Sequence, residues 1–253
     1  MKALSSMKAL GRMNFLAGLV LVLATSSLHA AGRDHLEPAG VNIRDIAALQ
    51  RGAKVFVNYC LSCHSANYMR YNRLSEDLGL SEEVVLNNLI FPDVKIGDTM
   101  SIAMQADDAE RWFGKSPPDL SVRGRSRGAD WLYAYLRSFY QDASGHWNNR
   151  VLPNASMPHV LWQLQGIQTP VFADPDENVS GVIEIDHLVL TTPGILTPEE
   201  YDGIVLDLVT FMDYMGEPAK LKRKNIGIWV MLFLVVFAFL AYLLKVEYWR
   251  DIH

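Results

Sequence analysis

The sequence predicts a mainly α-helical domain with long loops, carried on one C-terminal transmembrane helix. Three observations lead there. Apolar residues recur at helical spacing in separated segments, prolines divide the rest of the chain into loops, and residues 226–244 form an apolar run of nineteen without a charge. Two cysteines among 253 residues exclude a disulfide-stapled scaffold.

From the N-terminus, Lys2, Lys8 and Arg12 precede an apolar stretch at 15–23 and a small-residue exit at 25–31. That is the pattern of a secretory signal, with cleavage expected after Ala30 or Ala31. The apolar stretch is too short to span a bilayer comfortably, which disfavours an uncleaved anchor. The expected organisation is a signal over 1–30, an exported domain over 31–219, an anchor over 220–245 and a short cytoplasmic tail over 246–253.

Within the exported domain, Ile43, Ile46, Ala47, Leu49, Ala53 and Phe56 mark a helix over 42–59. Gly52 in its middle points to a close approach by another helix. Gly128-Ala129-Asp130 leads into a second helix, expected over 131–140. Thr197-Pro198-Glu199-Glu200 is a capping box with Pro at the first helical position. Ile204, Leu208, Phe211, Met212 and Met215 continue it as an apolar stripe that stops at Gly216-Glu217-Pro218. Pro92, Pro117, Pro118, Pro153, Pro158, Pro170, Pro175 and Pro193 are expected in loops.

As a helix, 226–244 is about 28 Å long, matching the hydrocarbon thickness of a bilayer. Trp229 near one end and Tyr242, Tyr248 and Trp249 near the other fit an interfacial belt. Lys220, Lys222, Arg223 and Lys224 precede the run, and Lys245 and Arg250 follow it, so counting positive charges alone would place the domain inside. The signal is expected to prevail, because long exported domains translocate largely regardless of charge.

The net charge of −5 hides an asymmetry: residues 31–217 hold 14 Lys/Arg against 26 Asp/Glu, a formal −12. Nucleic-acid binding needs a basic face and is excluded. Such a domain suits a basic protein partner, although acidity also serves solubility alone.

Cys60-Leu61-Ser62-Cys63-His64 matches the c-type haem attachment pattern. Two thiols three residues apart on one helical turn reach the two vinyl groups of one porphyrin, and the following imidazole becomes an axial iron ligand. A thioredoxin-like redox pair shares the Cys spacing but sits at a strand–helix junction. A zinc site would need two further ligands close by. The second axial ligand must come from far along the chain, from among Met69, Met100, Met104, Met157, Met212, Met215, His146, His159 and His187. Met212 and Met215 read as core packing. Met157 lies in the proline-braced stretch Leu152-Pro153-Asn154-Ala155-Ser156-Met157-Pro158-His159, which suits a ligand that must not move between oxidation states; His159 is the next choice. Arg123, Arg125 and Arg127, clustered in so acidic a domain, suggest haem propionates as a local target.

From about Arg51 onward the chain resembles the cytochrome c1 family, the haem subunits of cytochrome bc1 complexes. The resemblance is carried by Arg51-Gly52-Ala53-Lys54-Val55-Phe56-Val57-Asn58-Tyr59-Cys60-Leu61-Ser62-Cys63-His64-Ser65, Pro117-Pro118-Asp119-Leu120-Ser121, Arg125, Asp130-Trp131, Pro153-Asn154-Ala155-Ser156-Met157-Pro158 and the single C-terminal anchor. It implies a class-I cytochrome c-like fold enlarged by loops. It also implies one haem c attached to Cys60 and Cys63, with His64 and Met157 as axial ligands and Arg125 contacting a propionate. Trp131 stands where relatives often carry Tyr. The implied partners are cytochrome b, a Rieske iron–sulfur protein, a mobile cytochrome c and the bilayer. The implied location is the bacterial inner membrane with the haem domain in the periplasm. Asp107-Asp108-Ala109-Glu110 and Asp174-Pro175-Asp176-Glu177 are candidate docking segments. Electron transfer needs no catalytic acid, base or nucleophile. Two other readings stay open: a cytochrome c subunit feeding a terminal oxidase or another reductase, and a tethered thiol–disulfide oxidoreductase.

Overall fold

A computed structural model describes residues 36–91, 94–173 and 185–250. The signal segment, the acidic stretch at 174–177 and the last three residues of the tail lie outside the described residues.

Helix α1 (Ile46–Val55) starts on Asp45, whose carboxylate accepts the Ala48 N–H at 3.0 Å. It runs into a π-helical turn, Phe56–Cys60, that ends at the attachment motif. Two short helices follow, α2 (Tyr71–Leu78) and α3 (Glu82–Asn88), then α4 (Ala106–Phe113), α5 (Arg123–Arg127) and α6 (Ala129–Arg137). Beyond the one-turn α7 (Trp162–Gln165) come α8 (Pro198–Gly216) and α9 (Lys220–Tyr248).

Helices α1 and α8 cross at the centre of the core. Leu49, Ala53 and Phe56 pack with Val205, Leu208 and Phe211, all buried. Phe56 and Phe211 rings lie 5.6 Å apart. Gly52 makes the crossing possible, because a Cβ there would fall 2.1 Å from the Asp207 carbonyl oxygen and 2.8 Å from Phe211 Cβ. Beside it, Arg51 forms a two-pronged pair with Asp207 at 2.6 and 2.8 Å. Gly52→Ala is therefore expected to force the helices apart and cost about 1–3 kcal/mol or more. Thermal unfolding of the purified protein measures this, and an unchanged midpoint would show that the crossing is not tight.

The capping box of α8 forms as the sequence predicts: Thr197 Oγ1 accepts from the Glu200 N–H at 3.3 Å, and Glu200 accepts from the Thr197 N–H at 2.9 Å. Other elements differ from expectation. The helix expected over 42–59 begins at Ile46, and Ala66–Arg70 pairs antiparallel with Thr99–Met100. The helix expected over 131–140 ends at Arg137, because Phe139–Gln141 pairs antiparallel with Trp147–Asn149. Gly166–Phe172 and Ile185–Pro193, expected as loop, form an antiparallel pair. Pro170 and Pro193 are tolerated because a two-stranded sheet has only edge strands.

Helix α9 is 29 residues long, and 225–248 is long and apolar enough to cross a membrane. Its apolar side chains are exposed, Trp229 at 74% and Phe233 at 66%, as a lipid-facing helix requires.

Candidate haem-binding site

The attachment motif is positioned by the end of α1. The π-turn bond from Leu61 N–H to the Phe56 carbonyl (3.0 Å) is followed by bonds from the Cys63 and His64 N–H groups to the Cys60 carbonyl, at 3.1 and 2.8 Å. The chain thus keeps turning through the motif, and both thiols and the imidazole face one cavity. The cavity measures about 320 Å³, within the size range of small-molecule sites. Tyr59, Leu120, Trp131, Leu132, Tyr135, Leu136, Val160 and Leu208 give it largely apolar walls.

His64 is fixed from behind. Its Nδ1 lies 2.8 Å from the Pro118 carbonyl oxygen. As Nδ1–H donor to that carbonyl, the ring keeps Nε2 free to ligate a metal. Burial holds the imidazole below its ordinary pKa, against the opposing pull of the Pro118 carbonyl, which favours the neutral form that a metal ligand needs. The Pro117–Ser121 segment is itself stitched to 65–68. Leu120 N–H donates to the Ser65 carbonyl (2.8 Å), Asn67 N–H to the Asp119 carboxylate (2.9 Å) and Tyr68 N–H to Ser121 Oγ (3.0 Å). Burial alone would raise the Asp119 carboxyl, but hydrogen bonds from Ser121 and Asn67 outweigh it and hold it below the usual range.

A carboxyl depressed in the fold stabilises the protein above the unfolded-state pKa, and this contribution is lost as pH falls through the folded value. Asp119→Asn is accordingly expected to lower stability by about 0.5–1.5 kcal/mol near neutral pH, the net worth of one partly screened hydrogen bond. The difference from the parent should shrink as pH falls into the carboxylate range. Thermal melts at neutral and acid pH check this; an equal deficit at both would remove the charge from the account.

The structure separates the axial candidates. Of the nine, Met157 and Met212 line the cavity. Met69 and Met100 are fully buried elsewhere in the core, and His146 and His187 are exposed. His159 is 2% exposed and sits in an aromatic cage, stacked on Phe139 at 4.9 Å and edge-on to Trp147 at 5.3 Å. Burial takes its pKa down to about 4, so it is a neutral core residue. Met212 reaches the cavity from α8, where it also belongs to the core. Met157 comes from a shaped loop. Asn154 adopts φ +61°, a conformation Asn tolerates, and its N–H donates to Asn148 Oδ1 at 2.8 Å. Buried Asn149 accepts from the Val151 and Leu152 N–H groups at 2.8 and 3.0 Å.

The structure places the three arginines differently. Arg123 and Arg127 line the cavity, but Arg125 does not. On α5, residues four apart share a face and the residue between them points away. The backbone of Arg125 instead packs on α8, within 3.0 Å of where a Gly216 Cβ would lie. Gly124 makes the same contact possible, since its Cβ would fall 2.2 Å from the Met212 carbonyl oxygen.

The residues fit a covalent haem: two unpaired thiols and an imidazole on one turn, a thioether on a second element, apolar walls and two guanidinium groups. They fit a thiol–disulfide site less well, because burial pushes the Cys60 thiol up to about 12, where it is a poor nucleophile. Fold and cavity together define a c-type cytochrome domain. A family model described as "Cytochrome C1 family" matches residues 40–89 and 92–252. The chain is 48% identical to cytochrome c1 of Allochromatium vinosum over 94% of its own length and 98% of that protein. It is 49% identical to a Nitrosomonas europaea protein named ammonia monooxygenase gamma subunit, over 93% and 97%. Cytochrome c1 of Rhodospirillum rubrum is 27% identical over 82% and 83%.

The chain belongs to the cytochrome c1 family. It is thus a membrane-anchored electron-transport subunit of the bc1 complex with covalently bound haem c, and cytochrome b and a Rieske protein are its implied partners.

Proposed function

We propose that this chain takes one electron from the Rieske protein and passes it to a mobile cytochrome c, with its domain on the periplasmic side of a bacterial inner membrane. The observation that carries the reading is that Cys60, Cys63, His64 and Met157, separated by up to 97 positions, share one apolar cavity. The haem supplies reversible one-electron chemistry. Cys60 and Cys63 would hold it by thioether bonds. His64, oriented by Pro118 and favoured in its neutral form by burial, would be one ligand to its iron, and Met157, on a loop whose asparagine bonds keep it in place, the other. Arg123 and Arg127, which line the cavity, and Arg125 beside them on α5 offer guanidinium groups for the propionates. A thioether opposite an imidazole raises the reduction potential relative to two imidazoles, as a late carrier in the chain requires.

The name of the Nitrosomonas relative favours a second reading, membership of a monooxygenase assembly. Purification from native membranes, with subunit identification and a reduced-minus-oxidised spectrum, separates the two. Cytochrome b and an iron–sulfur subunit should co-purify; monooxygenase or oxidase subunits in their place would overturn the bc1 assignment for this chain. For topology, a reporter fused after His253 should report cytoplasm and one fused at Gly216 the exported side. The reverse would mean that the basic cluster at 220–224 orients the anchor.

A further inference from the structure

One polar group in the cavity has no part in the reading above. Tyr135, on α6, lines the wall and directs its hydroxyl at Met157 Sδ, 3.5 Å away. A thioether is a weak acceptor, so this pairing is made by geometry rather than by the strength of the bond. Both sides of the contact are held. Trp131, one turn earlier, stacks on the Tyr135 ring at 4.9 Å with an interplanar angle of 9°, and the Arg127 guanidinium lies 4.9 Å over Trp131. Phe139 meets the ring edge-on at 5.0 Å. Gly128, at φ +89°, makes the bend that brings Arg127 over α6. The Tyr135 carbonyl accepts from Asn149 Nδ2 at 2.8 Å, and Asn149 also holds the first residues of the Met157 loop. One asparagine thus registers the hydroxyl donor against the loop that carries its acceptor.

We propose that Tyr135 is a positioning residue for the Met157 thioether, aiming the sulfur and drawing electron density from it, and that Trp131 and Arg127 hold its ring for that purpose. The inference rests on Met157 being an axial ligand. A sulfur that shares a proton is a poorer electron donor to iron, which favours the reduced form. The hydroxyl therefore raises the reduction potential. This also gives Trp131 a role that its position in the sequence left open: a flat partner that keeps Tyr135 from rotating away.

The test uses the full chain in its native membrane complex, with redox titration and the weak sulfur-to-iron absorption band as readouts. Tyr135→Phe keeps the ring and its stack. It should retain covalent haem and the band while shifting the redox equilibrium roughly three- to tenfold toward the oxidised form, the size of one hydrogen bond. In a Met157→Leu background the same substitution should have no effect on the potential. Trp131→Leu keeps the hydroxyl but frees the ring, and should lose the band at a lower temperature than the parent, with a smaller fall in potential. A merely structural Tyr135 would lower the unfolding temperature and leave the potential unmoved. If Met157→Leu removes the band but Tyr135→Phe leaves the potential at its parental value, the positioning role fails and the ligand stands. If Met157→Leu keeps the band, both fail. Should Tyr135→Phe not assemble, an unchanged potential and band stability in Trp131→Leu overturns the proposal by itself.

Discussion

A Cys60→Ala/Cys63→Ala protein is expected to carry no covalent haem: haem staining on a denaturing gel should fall to background, where the parent gives a stained band. Denaturation strips any haem held by packing or ligation, so what remains on the gel reports thioether bonds alone. Each single substitution should leave at most one such bond and reduced maturation. The loss should reach beyond the spectrum. The cavity walls from α6 and α8 are apolar, and without the porphyrin Leu132, Leu136 and Leu208 face an empty hollow. Side chains that line a void forfeit packing contacts on one side, so the apoprotein should unfold at a markedly lower temperature or fail to accumulate. Replacing His64 instead should leave covalent haem in place and remove one axial ligand. Covalent staining in the double variant would mean that attachment lies elsewhere in the chain and that this cavity is not the haem site.

How far the sequence reaches depends on the range of the interactions involved. The attachment motif, the capping box at Thr197 and the apolar C-terminal helix are local patterns, each written within a few turns of chain; the capping box forms, the C-terminal helix runs to Tyr248, and the motif's three side chains line one cavity. The Gly52 crossing was also legible, because a glycine inside an apolar helical stripe has few other uses. What escaped reading depends on residues far apart. Pro117-Pro118-Asp119-Leu120-Ser121 is a recognisable motif, but its work is to accept and donate hydrogen bonds at 64–68, more than fifty positions away. Trp131, Tyr135 and Phe139 stand four apart, so a ring ladder was visible in principle; that its middle member meets Met157 was not, since the loop from 150 to 158 has no periodicity to place it. Which of Arg123, Arg125 and Arg127 faces the cavity was not legible for a local reason: helical phase decides it, and a five-residue helix with Gly124 inside it and Gly128 after it offers no phase to read. The hairpin of 166–172 with 185–193 was hidden by Pro170 and Pro193, residues that exclude a central strand but not an edge.

Met157→Leu sets packing against ligation, and the two give opposite results. Leucine conserves volume and apolarity, so a methionine that only fills space should tolerate the exchange at under about 1.5 kcal/mol, with the spectrum and potential unchanged. An axial thioether predicts otherwise. Haem remains attached through Cys60 and Cys63, but the sulfur-to-iron band disappears and the potential falls, because the soft ligand that favours the reduced form is gone. Met157→His should restore six-coordination without restoring the potential, since imidazole stabilises the oxidised form better than a thioether does. Met212 is the necessary control, because it too lines the cavity, from α8. Met212 belongs to the buried helix stripe, 4% exposed, whereas Met157 sits on a loop fixed by Asn148 and Asn149 and receives the Tyr135 hydroxyl on its sulfur. Met212→Leu should therefore leave the band in place. Should the band survive Met157→Leu and vanish in Met212→Leu, the axial ligand would lie on α8, and the asparagine-braced loop would be packing over the haem edge while the thioether attachment at Cys60 and Cys63 stood unaffected.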